Sequence, residues 1–330
     1  MLCLLVWEIG GASNISTYAF FRDLRDSRVA GARRVFGGAA AELREFPATC
    51  ALLDRYWTTR CSASVLSPHW VLTAAHCVSS RITYIKYNTR RPIFNEGNVA
   101  AVHYLYQHPE YRVLQEDDGL GMDVTLLHHD VGLIRTRDVM KLHVSLPSDS
   151  LLNFRRYDPM NLLHKEVQVL GFGRTESTVL GEELCAARLR LTSCKRATWY
   201  HVICARGDQH GGVCTGDSGG PLLFAGTQIA VTSMGPQTCV IAIPALASVS
   251  VFTILRPYID ILNATITDTD TALRMRMISA AVTFYQVSGK IINFNVVSFC
   301  FLLHAVIIQS QISVNIFIVS YLLIHFVLYS

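Results

Sequence analysis

Charged side chains are scarce in this chain of 330 residues: Asp, Glu, Lys and Arg make up 16% of it, whereas hydrophobic residues make up 51%. Intrinsic disorder needs the opposite balance, so the composition excludes disorder as the general state and predicts a buried core. The formal net charge is only +4, and adjacent basic residues occur only in pairs, such as Arg33 and Arg34. The sequence therefore gives no electrostatic case for a nucleic-acid partner.

Long helical periodicity is also lacking, and residues 35–262 contain no repeat of fixed period and no low-complexity tract. They contain short apolar runs broken by Gly, Pro, Asp and Ser, such as Trp70–Thr73 and Pro221–Phe224. This pattern predicts many short strands and hence an all-β fold. The segment Phe252–Leu262 is expected to close the region as a helix, with Pro257 near its first turn.

The segments on either side of this region differ from it in composition. Residues 1–12 hold a short apolar run followed by small residues and are interpreted as a weak signal peptide, and the polar, arginine-dotted residues 13–34 as a pro-segment. In the tail, 263–330, the last 40 residues contain no Asp, Glu, Lys or Arg. Ile312–Tyr329 would form a helix of about 27 Å, so the tail is either a membrane anchor or an artefact of the gene model.

A serine in the sequence GDSGGP is the first candidate for chemistry. Ser218 lies between Asp217 and paired glycines, where the backbone can turn sharply and expose a nucleophile, although the same residues also suit a plain turn. A serine hydroxyl needs a general base. His76 meets that need, because it lies in LTAAHC directly after the strand-like segment Trp70–Thr73.

The motifs LTAAHC and GDSGGP, in this order and about 140 residues apart, resemble the chymotrypsin-like serine endopeptidase family. The resemblance covers residues 35–262, and GFGR at 171–174 stands where the family has Gly-Trp-Gly. It implies two antiparallel Greek-key β-barrels with a C-terminal helix and a triad in the cleft between them. On this resemblance His76 is the base, Ser218 the nucleophile, and the N–H groups of Gly216 and Ser218 form the oxyanion hole.

The family's third catalytic residue is an aspartate between the histidine and the serine, and two candidates exist here. Asp130 follows Thr125 to His129 in a way that resembles the family's Thr-Leu-x-x-Asp approach, and it leads directly into an apolar strand. Asp123 heads a similar apolar segment. We expect Asp130 to complete the triad and keep Asp123 as the alternative.

The pair Arg34-Val35 resembles the activation site of the family. There, cleavage after the basic residue frees an α-ammonium group that pairs with the Asp before the catalytic Ser, here Asp217. Phe36 departs from the usual Val at the second position. The resemblance thus implies a zymogen, and a solvated dibasic linker is the alternative interpretation of Arg33 and Arg34.

Four positions resemble the substrate-binding residues of the family. Gly212, six residues before Ser218, stands at the base of the S1 pocket, where trypsin-like members carry Asp, so no acid is present to pair with a basic P1 side chain. We therefore expect cleavage after Phe, Tyr, Leu or Met, or after smaller residues if the pocket is narrow. The other three positions are the substrate-pairing strand and the pocket walls, at Ser233, Gly235 and Ser250.

Ten cysteines are too many for an ordinary cytosolic enzyme and indicate disulfides or metal ligands. Spacing alone does not choose the pairs, and the resemblance implies three of them: Cys61 with Cys77, Cys194 with Cys204, and Cys214 with Cys239. Cys50 and Cys185 form a fourth bridge or stay free. Cys3 and Cys300 lie outside the predicted domain.

No metal and no cofactor is expected. His128 and His129, with His103 and His108, lack the Cys/His spacing of tetrahedral ligation and are interpreted as solvated histidines at strand edges.

The partners that the resemblance implies are protein or peptide substrates, a trypsin-like activating protease and protein inhibitors. We expect a secreted protein, or a membrane-anchored one with an extracellular protease domain. The alternative function is a non-catalytic protease homologue that acts as a binding or regulatory module.

Overall fold

The computed structural model describes residues 38–117, 122–144, 153–174, 182–207, 212–235, 249–280, 285–287 and 290–292. The chain divides into two compact units, residues 1–280 and 281–330. Strands dominate the described residues, in chain order as follows: β1 Ala39–Ala40, β2 Thr49–Asp54, β3 Thr59–Ser67, β4 Trp70–Thr73, β5 Ile82–Tyr87, β6 Asn98–Gln107, β7 Arg112–Asp117, β8 Met122–His128, β9 Gly132–Thr136, β10 Glu166–Gly171, β11 Cys185–Thr192, β12 Val202–Gly207, β13 Pro221–Phe224, β14 Thr227–Met234, β15 Ser250–Ile254, β16 Arg276–Ala280, β17 Tyr285–Val287 and β18 Lys290–Ile292.

The first barrel is a closed ring of six antiparallel strands. Its order is β6-β5-β2-β3-β4-β9, and pairing of β6 with β9 closes it. All six residues of β2 and all four of β4 are buried. A closed barrel by itself buries only the alternate side chains that fill its interior, so burial at every position means that the outer face of these strands is covered as well.

The second barrel repeats this arrangement with the order β11-β10-β13-β14-β15-β12, closed by pairing of β11 with β12. Strand β11 alternates buried and more exposed residues along its length, the period-2 pattern of a strand with one face on the core. Its core includes Val169, Leu189, Ile203 and Phe252. The prediction of an all-β fold with two antiparallel barrels is confirmed.

The two barrels pack against each other through apolar and polar contacts. Ala51 of the first barrel shares an apolar cluster with Leu170 and Phe172 from the second. Across the same junction, Ser64 Oγ donates a hydrogen bond of 2.8 Å to Oε1 of Gln228, with both residues buried. Because both apolar packing and a buried hydrogen bond join the barrels, the loops that each barrel sends into the junction are held in a fixed relation to each other.

The helix predicted at Phe252–Leu262 begins later than expected. Residues Ser250–Ile254 form β15, which pairs with β12 and β14 and is buried throughout. A 3-10 turn at Arg256–Tyr258 follows, and the α-helix, α1, runs over Ile259–Thr267. The helix prediction was wrong for the first residues because pairing on both sides outweighs the helical periodicity of this apolar run.

The chain continues past the helix in the same compact unit. Met275 is buried with Leu262 in the cluster that packs helix α1 on the first barrel. Strand β16 then pairs antiparallel with β6. In the second unit, β17 pairs with β18. Within the described residues no helix is both long enough and apolar enough to cross a membrane, and the proposed anchor, Ile312–Tyr329, lies outside them.

Candidate active site

His76 lies in a 3-10 turn, Ala75–Cys77, that begins right after β4. A disulfide joins Cys77 to Cys61 on β3, so the turn is fastened to the neighbouring strand. The His76 side chain is 33% exposed, whereas the flanking Ala75 and Cys77 are buried. The local sequence therefore places one imidazole at the surface of the junction on an otherwise buried turn.

Asp130 is almost fully buried, with 1% of its surface exposed, and faces His76 with both carboxylate oxygens. The His76 ring Nδ1 lies 2.8 Å from Oδ2, and the His76 backbone N–H donates to Oδ1 over 2.9 Å. Burial alone would raise the pKa of Asp130, but the facing imidazole and the hydrogen bonds hold it below its usual range. The same carboxylate raises the pKa of His76 against the opposing effect of burial.

Asp123, the alternative partner, lies on the β7–β8 hairpin and makes a different contact. Its Oδ2 accepts a hydrogen bond of 2.6 Å from the guanidinium of Arg196. The geometry thus favours Asp130 over Asp123 as the partner of the His76 imidazole.

A second hydroxyl reaches Asp130 from the other barrel. Ser233 on β14 donates its Oγ hydrogen to Oδ2 of Asp130 over 2.5 Å, and Ser233 is itself buried. The sequence predicted Ser233 as part of the substrate-pairing strand and gave no signal for this contact.

Ser218 lies in the loop before β13 and lines the same cleft as His76, a cavity of about 390 Å³. Among the described residues, no hydrogen bond joins Ser218 Oγ to His76 Nε2, and such bonds often shorten only when substrate is bound. The first barrel holds this loop, because the carbonyl of Ser218 accepts the N–H of Ser62 at 2.9 Å and Ser62 Oγ donates to the carbonyl of Gly216 at 2.8 Å. Ser62 was not singled out from the sequence.

Two glycines of the GDSGGP motif adopt backbone conformations that other residues rarely take. Gly216 has φ of +98° and Gly219 has φ of +79°. A Cβ at Gly219 would overlap Thr73 Oγ1 and the carbonyl oxygen of Ser62. Since Thr73 ends the strand that leads to His76, the missing side chain lets the Ser218 loop and the His76 turn approach each other.

Asp217 is fully buried behind Ser218. Its Oδ1 accepts the N–H of Gly173 at 2.8 Å, and its Oδ2 accepts the N–H of Cys214 at 2.9 Å. Burial raises the pKa of Asp217 to about 7, although both hydrogen bonds act in the opposite direction. The carboxylate also packs on Gly171 and Gly173, where a Cβ would overlap it, which explains the glycines of GFGR.

Comparison with known proteins now identifies the architecture. The family model for trypsin matches residues 35–254, two thirds of the chain. The chain is a member of the trypsin family of serine endopeptidases. It is 29% identical to tonin of Rattus norvegicus, over 65% of this chain and 84% of that protein, and 30% identical to kallikrein-2 of Homo sapiens, over 62% and 81%.

Two further comparisons agree with this family. Chymotrypsin-C of Mus musculus is 30% identical, over 57% of this chain and 72% of that protein. Among solved structures, neuropsin, a serine protease expressed in the limbic system of mouse brain, superposes with a TM-score of 0.55. That match is 21% identical, covers 69% of this chain and 98% of neuropsin, and shows the fold alone.

In this trypsin-family domain, the predicted S1 residues come together. A Cβ at Gly212 would lie 3.2 Å from Ser250 Oγ, and that hydroxyl accepts the N–H of Val213 at 3.1 Å. Gly235 packs so closely on the carbonyl of Val213 that a Cβ there would overlap it. Gly212, Ser250 and Gly235 thus surround one short segment beside the cleft, whereas residues 236–248 lie outside the described residues.

The β7–β8 hairpin forms a wall of the cleft that the sequence analysis did not identify. Val113, Gln115 and Val124 line the cavity together with His76 and Ser218. The hairpin is fastened to the second barrel, because Trp199 Nε1 donates to the carbonyl of Val124 at 3.0 Å. No sequence motif marks this loop, since its position depends on packing between the two barrels.

Two of the disulfides implied by the resemblance are present, Cys61–Cys77 and Cys194–Cys204. Cys214 is disulfide-bonded, but Cys239 lies outside the described residues, so their pairing stays a prediction. Cys50 and Cys185 are buried and do not form the fourth bridge. Burial raises the pKa of the Cys50 thiol, and Cys185 Sγ donates to the carbonyl of Glu183 at 3.4 Å.

Proposed function

We propose that His76, Asp130 and Ser218 are the catalytic triad of this serine endopeptidase. The observation that carries the proposal is the 2.8 Å contact of His76 Nδ1 with Asp130 Oδ2 at a cleft that Ser218 also lines. In this arrangement Nε2 of His76 takes the Ser218 proton during attack on the peptide carbonyl and returns it to the leaving amine. Asp130 fixes the tautomer of the imidazole and stabilises the imidazolium that forms.

The proposed oxyanion hole consists of the backbone N–H groups of Gly216 and Ser218. Its support is the positive φ of Gly216 and the two hydrogen bonds from Ser62 that hold the loop at Gly216 and Ser218. Such donors act on the charge that develops in the transition state, and losing one costs on the order of 10²–10³ in rate.

Activation is proposed to follow cleavage between Arg34 and Val35, both outside the described residues. The new α-ammonium group of Val35 would pair with the Asp217 carboxylate. The support lies in Asp217 itself: it is fully buried, two N–H groups orient it, and burial raises its pKa to about 7. An ammonium group beside it would stabilise the ionised form and the loop that contains Ser218.

The proposed specificity is for apolar residues at P1, as in chymotrypsin-like or elastase-like enzymes. Gly212 carries no charge at the base of the proposed pocket, and Met234 and Gly235 line the cleft beside it. An arginine or lysine side chain would be buried there without a counter-charge, which is unfavourable. Self-activation at Arg34 should therefore be slow, and a separate trypsin-like protease is proposed as the activator.

We place the protein outside the cell, because disulfides persist in oxidising compartments. The two disulfides Cys61–Cys77 and Cys194–Cys204 support this location.

The test is to cleave the purified chain with trypsin, inhibit the trypsin, and assay anilide substrates with Phe, Leu, Ala or Arg at P1. The Ser218→Ala variant, treated identically, measures any residual trypsin. Hydrolysis of Phe or Leu substrates that is lost in the variant supports the triad and the apolar pocket, while hydrolysis of Arg substrates that is lost in the variant contradicts the role of Gly212. A folded, cleaved chain that hydrolyses none of them would favour the non-catalytic homologue.

A further inference from the structure

Helix α1 contains a sequence for N-linked glycosylation that the proposed function does not use. Asn263, Ala264 and Thr265 match the acceptor pattern Asn-x-Ser/Thr, in which x is not proline. The one other match in the chain, Asn14-Ile15-Ser16, lies outside the described residues. Because so short a pattern also occurs by chance, the surroundings of Asn263 and Thr265 decide whether this match is a site.

Asn263 lies on the solvent face of the helix. The residues of the inner face are buried, namely Ile261, Leu262, Ala264 and Thr265. Asn263 is exposed, as are Asp260 and Thr267, which lie three residues before it and four residues after it on the same face. Among the described residues, none forms a hydrogen bond with the side-chain amide of Asn263. A sugar chain on this amide would therefore extend into solvent without breaking a contact.

The hydroxyl of Thr265 has the opposite surroundings. Thr265 is only 5% exposed, and its Oγ1 donates a hydrogen bond of 2.6 Å to the carbonyl of Ile261. The same Oγ1 accepts the N–H of Met275, a buried residue of the segment after the helix, at 2.9 Å. The acceptor pattern requires this hydroxyl as well as the asparagine. Since the folded chain covers the hydroxyl, the chain is an acceptor only before helix α1 and Met275 have docked.

We propose that Asn263 is an N-glycosylation site and that the sugar chain is attached before helix α1 folds. The donor is an oligosaccharide joined to a lipid through a diphosphate. The bond from the anomeric carbon to the phosphate oxygen breaks, and the diphosphate leaves with the electron pair. The amide nitrogen of Asn263 bonds to that carbon and loses a proton to a base of the transferase. The proposal rests on the location outside the cell proposed above, because a chain meets this donor only in the secretory pathway.

The sugar chain should leave catalysis unchanged. Helix α1 packs on the first barrel through an apolar cluster that includes Trp70 and Leu262. None of the described residues of this cluster lines the cleft that contains His76 and Ser218. The cleaved Asn263→Gln enzyme should therefore have the same kcat/KM as the glycosylated enzyme.

Occupancy of the site is tested on the full-length chain, secreted from eukaryotic cells behind a cleavable leader. A glycan-removing amidase in ¹⁸O-labelled water converts each glycosylated asparagine to labelled aspartate, and mass spectrometry of the peptides assigns the label. We expect label at Asn263 that is lost in Asn263→Gln and retained in Thr265→Ser, which keeps a hydroxyl; label at Asn14 is read on a separate peptide. A secreted chain without label at Asn263 would overturn the site.

The two residues of the pattern should differ in their effect on stability. Asn263→Gln should leave the melting temperature of the unglycosylated chain unchanged, because the Asn263 side chain is exposed. Thr265→Val should lower it by roughly 2–8 °C, because the N–H of Met275 loses its acceptor. An equal melting temperature in Thr265→Val would contradict the burial of the hydroxyl on which the order of events depends.

The order of folding and modification is tested with purified transferase, its lipid-linked donor and unglycosylated chain from bacteria. A synthetic peptide of residues 257–271 should be modified at Asn263, and the folded chain at least tenfold more slowly. Equal rates would overturn the proposed order, and an unmodified peptide would overturn the site. A labelled chain that is inactive after cleavage would support the site and contradict the proposed function alone. A labelled chain that enters the secretory pathway only with the added leader would support the site and contradict the proposed location alone.

Discussion

Ser233 Oγ lies 2.5 Å from Oδ2 of Asp130, and this contact joins a strand of the second barrel to the proposed catalytic aspartate of the first. The same oxygen receives His76 Nδ1 at 2.8 Å. Because two donors converge on one buried carboxylate oxygen, the orientation of Asp130 depends on both barrels being docked. The proposed triad is therefore formed by the packing of the barrels as much as by the loops that carry it.

Replacing Ser233 by alanine should weaken this arrangement. A hydrogen bond to a charged group contributes roughly 1.5–3 kcal/mol, so kcat/KM should fall about tenfold or more. Without the hydroxyl, the pKa of Asp130 should also rise, since this bond lowers it. The matched control is Thr232→Val on the same strand, because Thr232 Oγ1 is buried and has no hydrogen-bond partner among the described residues. An equal loss in both variants, measured on an apolar anilide substrate, would argue against a positioning role for Ser233.

The variants Asp130→Asn and Asp123→Asn distinguish between the two aspartates that the sequence offers as the third residue of the triad. In a Ser-His-Asp triad, asparagine favours the wrong imidazole tautomer and lowers kcat by about 10⁴-fold. Asp123 pairs with Arg196 at a part-exposed site, where an ion pair contributes roughly 0–1 kcal/mol. Single-turnover rates should thus collapse for Asp130→Asn and change little for Asp123→Asn. The reverse order would assign the catalytic role to Asp123.

The pH profile should report the pKa of His76. A general base acts in its neutral form, so kcat/KM should rise with pH through this pKa. The Asp130 carboxylate raises the pKa of His76 above its usual range, despite the opposing effect of burial, so the acid limb should lie at higher pH than for an ordinary histidine. In Asp130→Asn the residual activity should show that limb at lower pH. An unchanged limb would mean that another group controls it.

The sequence pointed to His76 and Ser218 as candidates because each lies in a contiguous motif, LTAAHC or GDSGGP. Within the second motif Gly219 is constrained, since its backbone angle and its contact with Thr73 both exclude a side chain. The two-barrel fold was predicted from the resemblance these motifs carry, together with the short apolar runs. A short sequence motif predicts a structural feature well when the residues that determine this feature lie close together in the sequence.

The contacts that sequence missed are those between distant segments. Ser62 holds the carbonyl of Gly216 across 154 residues of chain, and no pattern around Ser62 marks it for that contact. The start of helix α1 was misplaced because pairing on both sides of β15 decides the structure of residues 250–254. His108 and His129 were taken as solvated for the same reason: the groups that bury them, including Tyr258, come from far along the chain.

A charge at the base of the proposed S1 pocket should change its specificity. Gly212→Asp would introduce a carboxylate next to Ser250, whose Oγ would be 3.2 Å from the new Cβ. We expect the ratio of kcat/KM for Arg over Phe substrates to rise at least tenfold, because the P1 cation gains a partner. Gly212→Asn, of the same size but uncharged, is the control. If both variants lose all activity equally, or if the ratio does not move, Gly212 is not at the base of the pocket.

Gly219→Ala should be among the most damaging single-methyl additions in the domain. The new Cβ would overlap Thr73 Oγ1 and the Ser62 carbonyl, and the residue would also keep a φ of +79°. Gly226 separates these two effects, because its φ is +75° while a Cβ there would meet no atom of the described part of the chain within 4 Å. Gly226→Ala should therefore lower the free energy of unfolding only through the unfavourable left-handed backbone, by about 1–2 kcal/mol.

Gly219→Ala should lower the free energy of unfolding by several kcal/mol more than Gly226→Ala does. Alternatively, it should force the Ser218 loop away from β4 and abolish activity in a chain that still folds. Urea unfolding of both variants, with active-site titration of the folded fraction, measures the two outcomes. Equal stability and equal activity in Gly219→Ala and Gly226→Ala would show that the close approach of Thr73 to this loop is not required. The positive φ alone would then account for the glycine at position 219.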